Sequence, residues 1–98
     1  MSRYSVAPSA VADLDEIWVY IAQNASVEVA QRVVGSITST FVLLAANPGL
    51  GRLRPILGKG MRSFPVSNYR IYYRQDRRGR VRILYVKHAA RDEKKLFG

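Results

Sequence analysis

The feature that most constrains the fold is a change of hydrophobic period near the middle of the chain. In residues 11–46, apolar side chains recur at intervals of three and four, which is typical of amphipathic helices. In residues 61–87 the interval becomes two, which is typical of strands with one buried face. Helices followed by a block of strands predict an α+β fold, with the helices on one face of an antiparallel sheet.

The first half of the chain predicts a short strand and two helices. Residues 3–6 are the strand candidate, and Pro8 suits the first turn of the helix that follows. Asn24 ends the first helical pattern, Ser26 is a suitable N-cap for the second, and residues 47–49 end the second. Because the link between the helices is short, we expect an antiparallel helix hairpin.

The second half predicts a three-stranded antiparallel meander. The strands are residues 61–66, 69–74 and 81–87, with turns at 67–68 and 76–79. Residues 49–60 are expected to form a loop, and Pro65 predicts a bulge or a strand end because proline cannot donate to a ladder. A short helix from about Arg91 completes a βααβββ order in a single domain, residues 1–98.

Charge is distributed unevenly along the chain. The net charge is +9, and residues 52–98 hold fourteen of the 16 Lys and Arg but only three of the seven Asp and Glu. A basic half of this kind predicts an anionic partner, such as nucleic acid, a nucleoprotein machine or an acidic protein segment. The alternative is a solvated basic face that keeps the protein soluble.

Several classes of protein are disfavoured by composition. The chain has no cysteine, which rules out disulfides and thiolate metal sites, and its single histidine disfavours a structural zinc site; it also contains no motif for a cofactor. Its first ten residues lack the apolar core of a secretion signal, and the longest apolar run, residues 41–46, is short for a membrane span. We therefore expect a cytoplasmic protein without a membrane contact.

Arginine and tyrosine alternate along the predicted strands. Arginine with interleaved tyrosine binds phosphates and bases, and it also forms the hot spots of protein interfaces. A solvated charge ladder is the simpler interpretation, but Arg70, Arg74 and Arg82 are the best candidates for an exposed partner surface. Sequence-specific DNA binding is not expected, because the polar faces of the two helices carry acidic residues.

The strand sequences RSFPV (62–66) and YRIYYR (69–74), with HAARD at 88–92, resemble the RelE/ParE superfamily of bacterial toxins. The first helix is similar to that of the ParE branch, so the resemblance covers nearly the whole chain. It implies a toxin held inactive by a ParD-like antitoxin. Characterised ParE toxins act on DNA gyrase, whereas RelE relatives cut messenger RNA on the ribosome.

Two functions follow from this resemblance. The first is a non-enzymatic gyrase inhibitor that binds its target or antitoxin through six residues: Arg62, Arg70, Arg74, Arg82, His88 and Arg91. The alternative is a ribosome-dependent endoribonuclease, in which Lys59, Arg62, His88 and Arg91 would supply the acid–base and cationic groups. Binding is preferred, because the paired lysines and the terminal tyrosine of the nuclease branch are missing here. His88 then has a structural or interface role.

Overall fold

The computed structural model describes residues 4–90. The elements in chain order are β1 (Tyr4–Val6), α1 (Pro8–Asn24), α2 (Val27–Ala46), β2 (Arg52–Leu53), a 3-10 turn (Pro55–Leu57), β3 (Arg62–Val66), β4 (Tyr69–Gln75) and β5 (Val81–His88). The predicted α+β class and the strand–helix–helix–strands order are confirmed. The short helix predicted from about Arg91 lies outside the described residues.

The sheet is mixed, so the prediction of a purely antiparallel sheet was wrong. Its strand order is β1-β5-β4-β3-β2, and β3, β4 and β5 form the predicted antiparallel meander. The exception is β1, which pairs in parallel with β5 from Tyr4 opposite Val81 to Val6 opposite Ile83. Both helices and the other three strands lie between β1 and β5 in sequence, so no tight turn forces the two strands to be antiparallel.

The segment predicted as a loop, residues 49–60, contains an additional strand. Arg52 of β2 lies opposite Ser63 of β3, and the Arg54 N–H donates to the Met61 carbonyl at 2.8 Å. Two residues are too few to show a period, which is why the sequence pattern did not reveal β2.

Pro65 occupies the outer edge of the sheet, one residue before β3 ends. The Met61 carbonyl points towards β2, and every second residue of an antiparallel strand points the same way, so Pro65 also faces that edge. Within residues 4–90, β2 pairs with β3 only as far as Ser63. A residue that has no N–H to donate is therefore well suited to this edge. The irregularity in the meander lies elsewhere, between Tyr72 and Tyr73 of β4 where it faces β5.

The hydrophobic core lies between the helices and one face of the sheet. Alternate residues of β4, Tyr69, Ile71 and Tyr73, belong to it, as the period of two predicted. The other members are Ala10, Ile17, Ile37, Phe41, Leu44, Val81, Ile83 and Val86. The Tyr4 ring meets Phe41 edge-on with ring centres 5.8 Å apart, which joins β1 to α2.

By length and composition alone, α2 is apolar enough to cross a membrane. Its residues Ile37, Phe41 and Leu44 are fully buried against the sheet, whereas Val42 and Leu43 are exposed. A helix that supplies much of a core passes the same test, so the apolar face of α2 is explained by packing.

Side chains of α1 complete the edge of β5 that β1 leaves open. The Ser9 hydroxyl donates to the Leu84 carbonyl at 2.7 Å, and the Val86 N–H donates to Asp13 at 3.0 Å. The second oxygen of Asp13 accepts from the Lys87 ammonium at 2.9 Å, and Asp13 is only 8% exposed. The helix thus satisfies backbone groups that would otherwise need another strand.

Candidate interface on the arginine face of the sheet

The strand register defines a second sheet surface, opposite the helices, which we call the arginine face. Because cross-strand partners share a face, the fully buried core residues fix which side every other residue takes. The arginine face comprises Arg52, Ser63, Pro65, Arg70, Tyr72, Arg74, Arg82, Tyr85 and Lys87. Three sequence-predicted site residues, Arg70, Arg74 and Arg82, therefore lie on one surface. The register also assigns Tyr85 to this face, opposite Tyr72.

The aromatic rings of the arginine face lie next to cations. The Arg54 guanidinium is 6.0 Å from the centre of the Tyr72 ring, and it donates to the Ser63 hydroxyl at 3.1 Å. The Lys87 ammonium lies 5.7 Å from the centre of the Tyr85 ring. These cation–π contacts are the local counterpart of the alternating arginine and tyrosine in the sequence.

Like charges oppose each other on neighbouring strands of this face. Arg74 of β4 lies directly opposite Arg82 of β5. Such a pair destabilises a sheet, because the charges repel at cross-strand distance. Arg82 donates to the neutral Ser5 hydroxyl at 3.1 Å, a contact that brings no opposite charge. In the part of the chain that the structure describes, no carboxylate forms a salt bridge with either arginine.

An open groove of about 550 Å³ lies at the end of the arginine face where β4 turns into β5. Its lining residues are Lys59, Gly60, Arg74, Gln75, Asp76, Arg77 and Arg82. The grouping brings Lys59 from the loop before β3 next to two of the predicted arginines. Arg77 was missed by the sequence analysis, because its sequence context, DRRG, indicated only a turn.

The carboxylate in this groove, Asp76, is used by the turn. One oxygen accepts hydrogen bonds from the backbone N–H groups of Arg78 and Arg80 at 2.8 and 3.0 Å. The other accepts one from Nε of the Arg80 side chain at 3.2 Å. The Arg80 N–H is the main group that lowers the pKa of Asp76, and the other donors act in the same direction. Asp76 therefore stays ionised, while its hydrogen-bonding capacity is directed into the turn.

Arg62 lies on the helix-covered side of the sheet, opposite Tyr73. Its guanidinium donates to the carbonyls of Gly51 and Gly49 at 2.7 and 3.3 Å. The Tyr73 hydroxyl donates to the Pro48 carbonyl at 2.9 Å and accepts from the Gly51 N–H at 2.7 Å. Together these bonds hold the segment that follows α2 against the sheet, so the structure gives Arg62 a structural contact that the sequence did not indicate.

Close packing accompanies these bonds. A Cβ atom on Gly51 would lie 2.5 Å from the Tyr73 hydroxyl, so only glycine fits at this approach. Burial raises the pKa of Tyr73, whereas the Gly51 N–H and the Arg62 charge act to lower it. Because burial is the largest cause, the phenol remains protonated to a higher pH than an exposed tyrosine.

His88 lies at the opposite end of the sheet from the groove. It ends β5 opposite Tyr69, and the two rings meet edge-on with centres 5.4 Å apart. The next residue, Ala89, donates its N–H to the Asn68 carbonyl at 2.8 Å, which ties the end of β5 to the β3–β4 turn. The imidazole thus packs on a buried tyrosine of the core.

Two residues of the nuclease hypothesis, Arg62 and His88, lie far apart. Arg62 of β3 lies opposite Tyr73, and His88 of β5 lies opposite Tyr69. The two residues are therefore on the strands that flank β4, at positions four residues apart along it. Strand dimensions put their backbones about 16 Å apart, from about 13 Å along the strands and about 10 Å across them. The guanidinium of Arg62 is moreover directed to Gly51. Arg91 lies outside the described residues.

Metal ligands are likewise dispersed. Among residues 4–90, no three His, Cys, Asp or Glu side chains lie close enough together to hold a metal ion. The groups that the arginine face offers a partner are mainly guanidinium groups, such as those of Arg52, Arg74 and Arg82. Such groups bind anions and form protein interfaces.

The chain is similar to known toxins along nearly its whole length. The family model described as the ParE toxin of the type II toxin–antitoxin system parDE matches residues 4–93. Toxin ParE1 of Caulobacter vibrioides is 31% identical over 98 residues, which cover 100% of both chains. Toxin ParE1 of Mycobacterium tuberculosis is 29% identical over 91 residues, or 93% of each chain.

Solved structures show the same fold. A chain of the chromosomal ParDE system from P. aeruginosa superimposes with a TM-score of 0.76 at 23% identity, covering 89% of this chain and 98% of that one. A chain of the RelBE2 toxin–antitoxin complex from Mycobacterium tuberculosis gives 0.64 at 26% identity, covering 87% and 94%. With the family match over residues 4–93, these findings show that the chain belongs to the ParE toxin family of type II toxin–antitoxin systems.

Proposed function

We propose that this protein is a toxin that inhibits DNA gyrase by binding it through the arginine face, without cutting nucleic acid. The observation that carries the proposal is the opposed pair Arg74 and Arg82, which has no carboxylate partner in the described part of the chain. Keeping two like charges side by side weakens the sheet, so their presence is best explained by an anionic partner.

The proposed mechanism is occupancy of the target. A cationic surface attracts an acidic or DNA-bearing partner from a distance, and arginine and tyrosine side chains then form the contacts that hold it. The bound toxin would stabilise a form of gyrase that blocks replication. The cytoplasm, where chromosomal DNA is supercoiled, is the proposed site of action.

We further propose that a ParD-like antitoxin neutralises the toxin. The ParDE and RelBE2 structures that share this fold come from toxin–antitoxin systems. An antitoxin segment of acidic or amphipathic character that folds along the arginine face would compete directly with the target. Its binding should therefore depend on the same arginines as gyrase inhibition.

A ribosome-dependent endoribonuclease remains the alternative, since the RelBE2 complex shares the fold. General acid–base catalysis requires the acid, the base and the charge-stabilising groups within hydrogen-bonding reach of one phosphodiester. The separation of Arg62 from His88 along and across β4 supports binding over this chemistry.

Two assays in parallel with purified protein test the proposal. We expect inhibition of plasmid supercoiling by gyrase and intact messenger RNA in a translation reaction. His88→Ala, with folding checked by circular dichroism, should inhibit gyrase as the wild type does. Cut RNA with normal supercoiling would reject the proposal in favour of the nuclease, and normal results in both assays would reject both functions.

A further inference from the structure

We propose that the groove at the β4–β5 turn binds the phosphate backbone of duplex DNA. The inference deepens the proposed function, on which its biological setting depends, since the duplex would be the DNA that gyrase holds. The binding itself is a property of the groove and can be measured without gyrase.

Cations from separate segments converge on the groove. Lys59 comes from the loop before β3, Arg74 from the end of β4, Arg77 from the turn and Arg82 from the start of β5. Because Arg74 and Arg82 are cross-strand partners, their Cβ atoms are about 5 Å apart. This spacing lets two guanidinium groups contact the same or adjacent phosphates.

Among residues 4–90, the positive charge of the groove is not balanced by salt bridges to its cations. Asp76 is the acidic residue in its lining, and both of its oxygens accept hydrogen bonds from Arg78 or Arg80 in the turn. Within residues 4–90, no carboxylate forms a salt bridge with Lys59, Arg74, Arg77 or Arg82. A multivalent anion would relieve the repulsion that these side chains exert on one another.

The lining favours a duplex backbone over other polyanions. It contains cations, an amide, a glycine and the engaged carboxylate, but no aromatic or aliphatic side chain. Single-stranded nucleic acid is held by stacking on aromatic rings, and a protein segment that folds on a surface buries apolar side chains. A duplex needs neither, since its closely spaced phosphates are bound by cations alone, without sequence preference.

The test is the binding of a short fluorescent DNA duplex to the purified protein, measured by anisotropy at several salt concentrations. Four phosphate contacts predict that wild-type affinity falls about 100-fold between 50 and 200 mM salt. Arg74→Gln combined with Arg82→Gln should weaken binding at low salt and reduce the fall to about 10-fold, because two contacts are lost.

A matched variant, Arg32→Glu, controls for net charge, since one change of arginine to glutamate alters the charge as much as two changes of arginine to glutamine. Arg32 is exposed and lies outside both the groove lining and the arginine face, so this variant should keep the wild-type salt dependence. An equal loss in this variant and in the double variant would overturn the groove as the site. Tighter binding of polyglutamate or single-stranded DNA than of duplex would overturn the proposed occupant.

The outcomes separate this inference from the proposed function. Groove-dependent duplex binding by a protein that leaves supercoiling intact would reject the gyrase proposal alone. Inhibited supercoiling by a protein that does not bind duplex DNA would reject the groove proposal alone.

Discussion

The two faces of the sheet are made by the same strands and differ most in their charge. On β4, Tyr69, Ile71 and Tyr73 point to the helices and are buried, whereas Arg70 and Arg74 point to the arginine face. The first set removes apolar surface from water, which is the main source of folding free energy. The second set opposes cations to cations, which costs folding free energy. One alternating strand can thus serve stability on one side and recognition on the other.

Truncation of the core face should have the largest effect on stability. Ile71→Ala removes a fully buried side chain and leaves a cavity, so we expect a loss of about 3 kcal/mol in the free energy of unfolding. Urea denaturation measures it. Arg74→Ala on the same strand is the matched control, and its change should stay within about 0.5 kcal/mol. Similar losses in the two variants would break the division between the faces.

Removal of Asp13 tests how α1 closes the edge of β5. Asp13→Ala leaves the Val86 N–H without its acceptor and the Lys87 ammonium without its partner. The expected loss is about 2 kcal/mol, since both groups are partly or fully buried. Asp15→Ala, at an exposed position of the same helix, is the control for lost helix charge. Equal effects in a denaturation experiment would contradict the structural role of Asp13.

Tyr73→Phe tests the hydroxyl that connects β4 to the segment after α2. The change removes bonds to Pro48 and Gly51, so we expect a loss of about 1.5 kcal/mol at neutral pH. Tyr4→Phe, at a partly buried tyrosine packed against the same core, is the comparison. A Tyr73→Phe protein as stable as the wild type would refute the role of these bonds.

The same tyrosine makes stability depend on pH. Burial raises the pKa of folded Tyr73 above its ordinary value of 10.0, so the unfolded chain loses the phenol proton first as pH rises. The contribution of the neutral phenol is therefore complete below pH 10.0 and is lost as pH rises through the folded pKa. The free energies of unfolding of the wild type and of Tyr73→Phe, measured in urea, should therefore converge as the pH rises above the folded pKa of Tyr73. A constant difference would contradict the assigned pKa direction.

The smallest effect should have the opposite sign. Arg74→Gln removes one member of the opposed arginine pair, so we expect a gain of about 0.3 kcal/mol in stability. The gain should be larger at low salt, where repulsion is less screened. Thermal unfolding at two salt concentrations measures it, with Arg52→Gln as the control. Destabilisation by Arg74→Gln would mean that this arginine serves the fold.

The sequence was most informative where a period continues over many residues. The helices and the meander follow from intervals of three and four and then two, and the same alternation placed Ile71 in the core and Arg74 outside it. The grouping of Arg70, Arg74 and Arg82 on one face required only the strand register.

Contacts between distant segments could not be obtained in this way. Nothing local indicates that β1 joins β5 in parallel or that Asp13 completes the edge of β5. Arg62 follows the same alternation as the other arginines, but its partners are carbonyls of residues 49 and 51, which come close only in the folded chain. Contacts of this kind depend on tertiary packing, so the sequence carries no periodic signal for them.

The central claim is that the arginine face binds the target, whereas the helix-covered face only stabilises the fold. The most direct measurement is plasmid supercoiling by gyrase in the presence of Arg74→Glu combined with Arg82→Glu, with melting curves for both proteins. We predict that this variant folds but no longer inhibits gyrase, while a variant with the same charge change on exposed helix positions, Gln23→Glu with Gln31→Glu and Arg32→Glu, retains inhibition. Full inhibition by the folded Arg74→Glu and Arg82→Glu protein would contradict the claim.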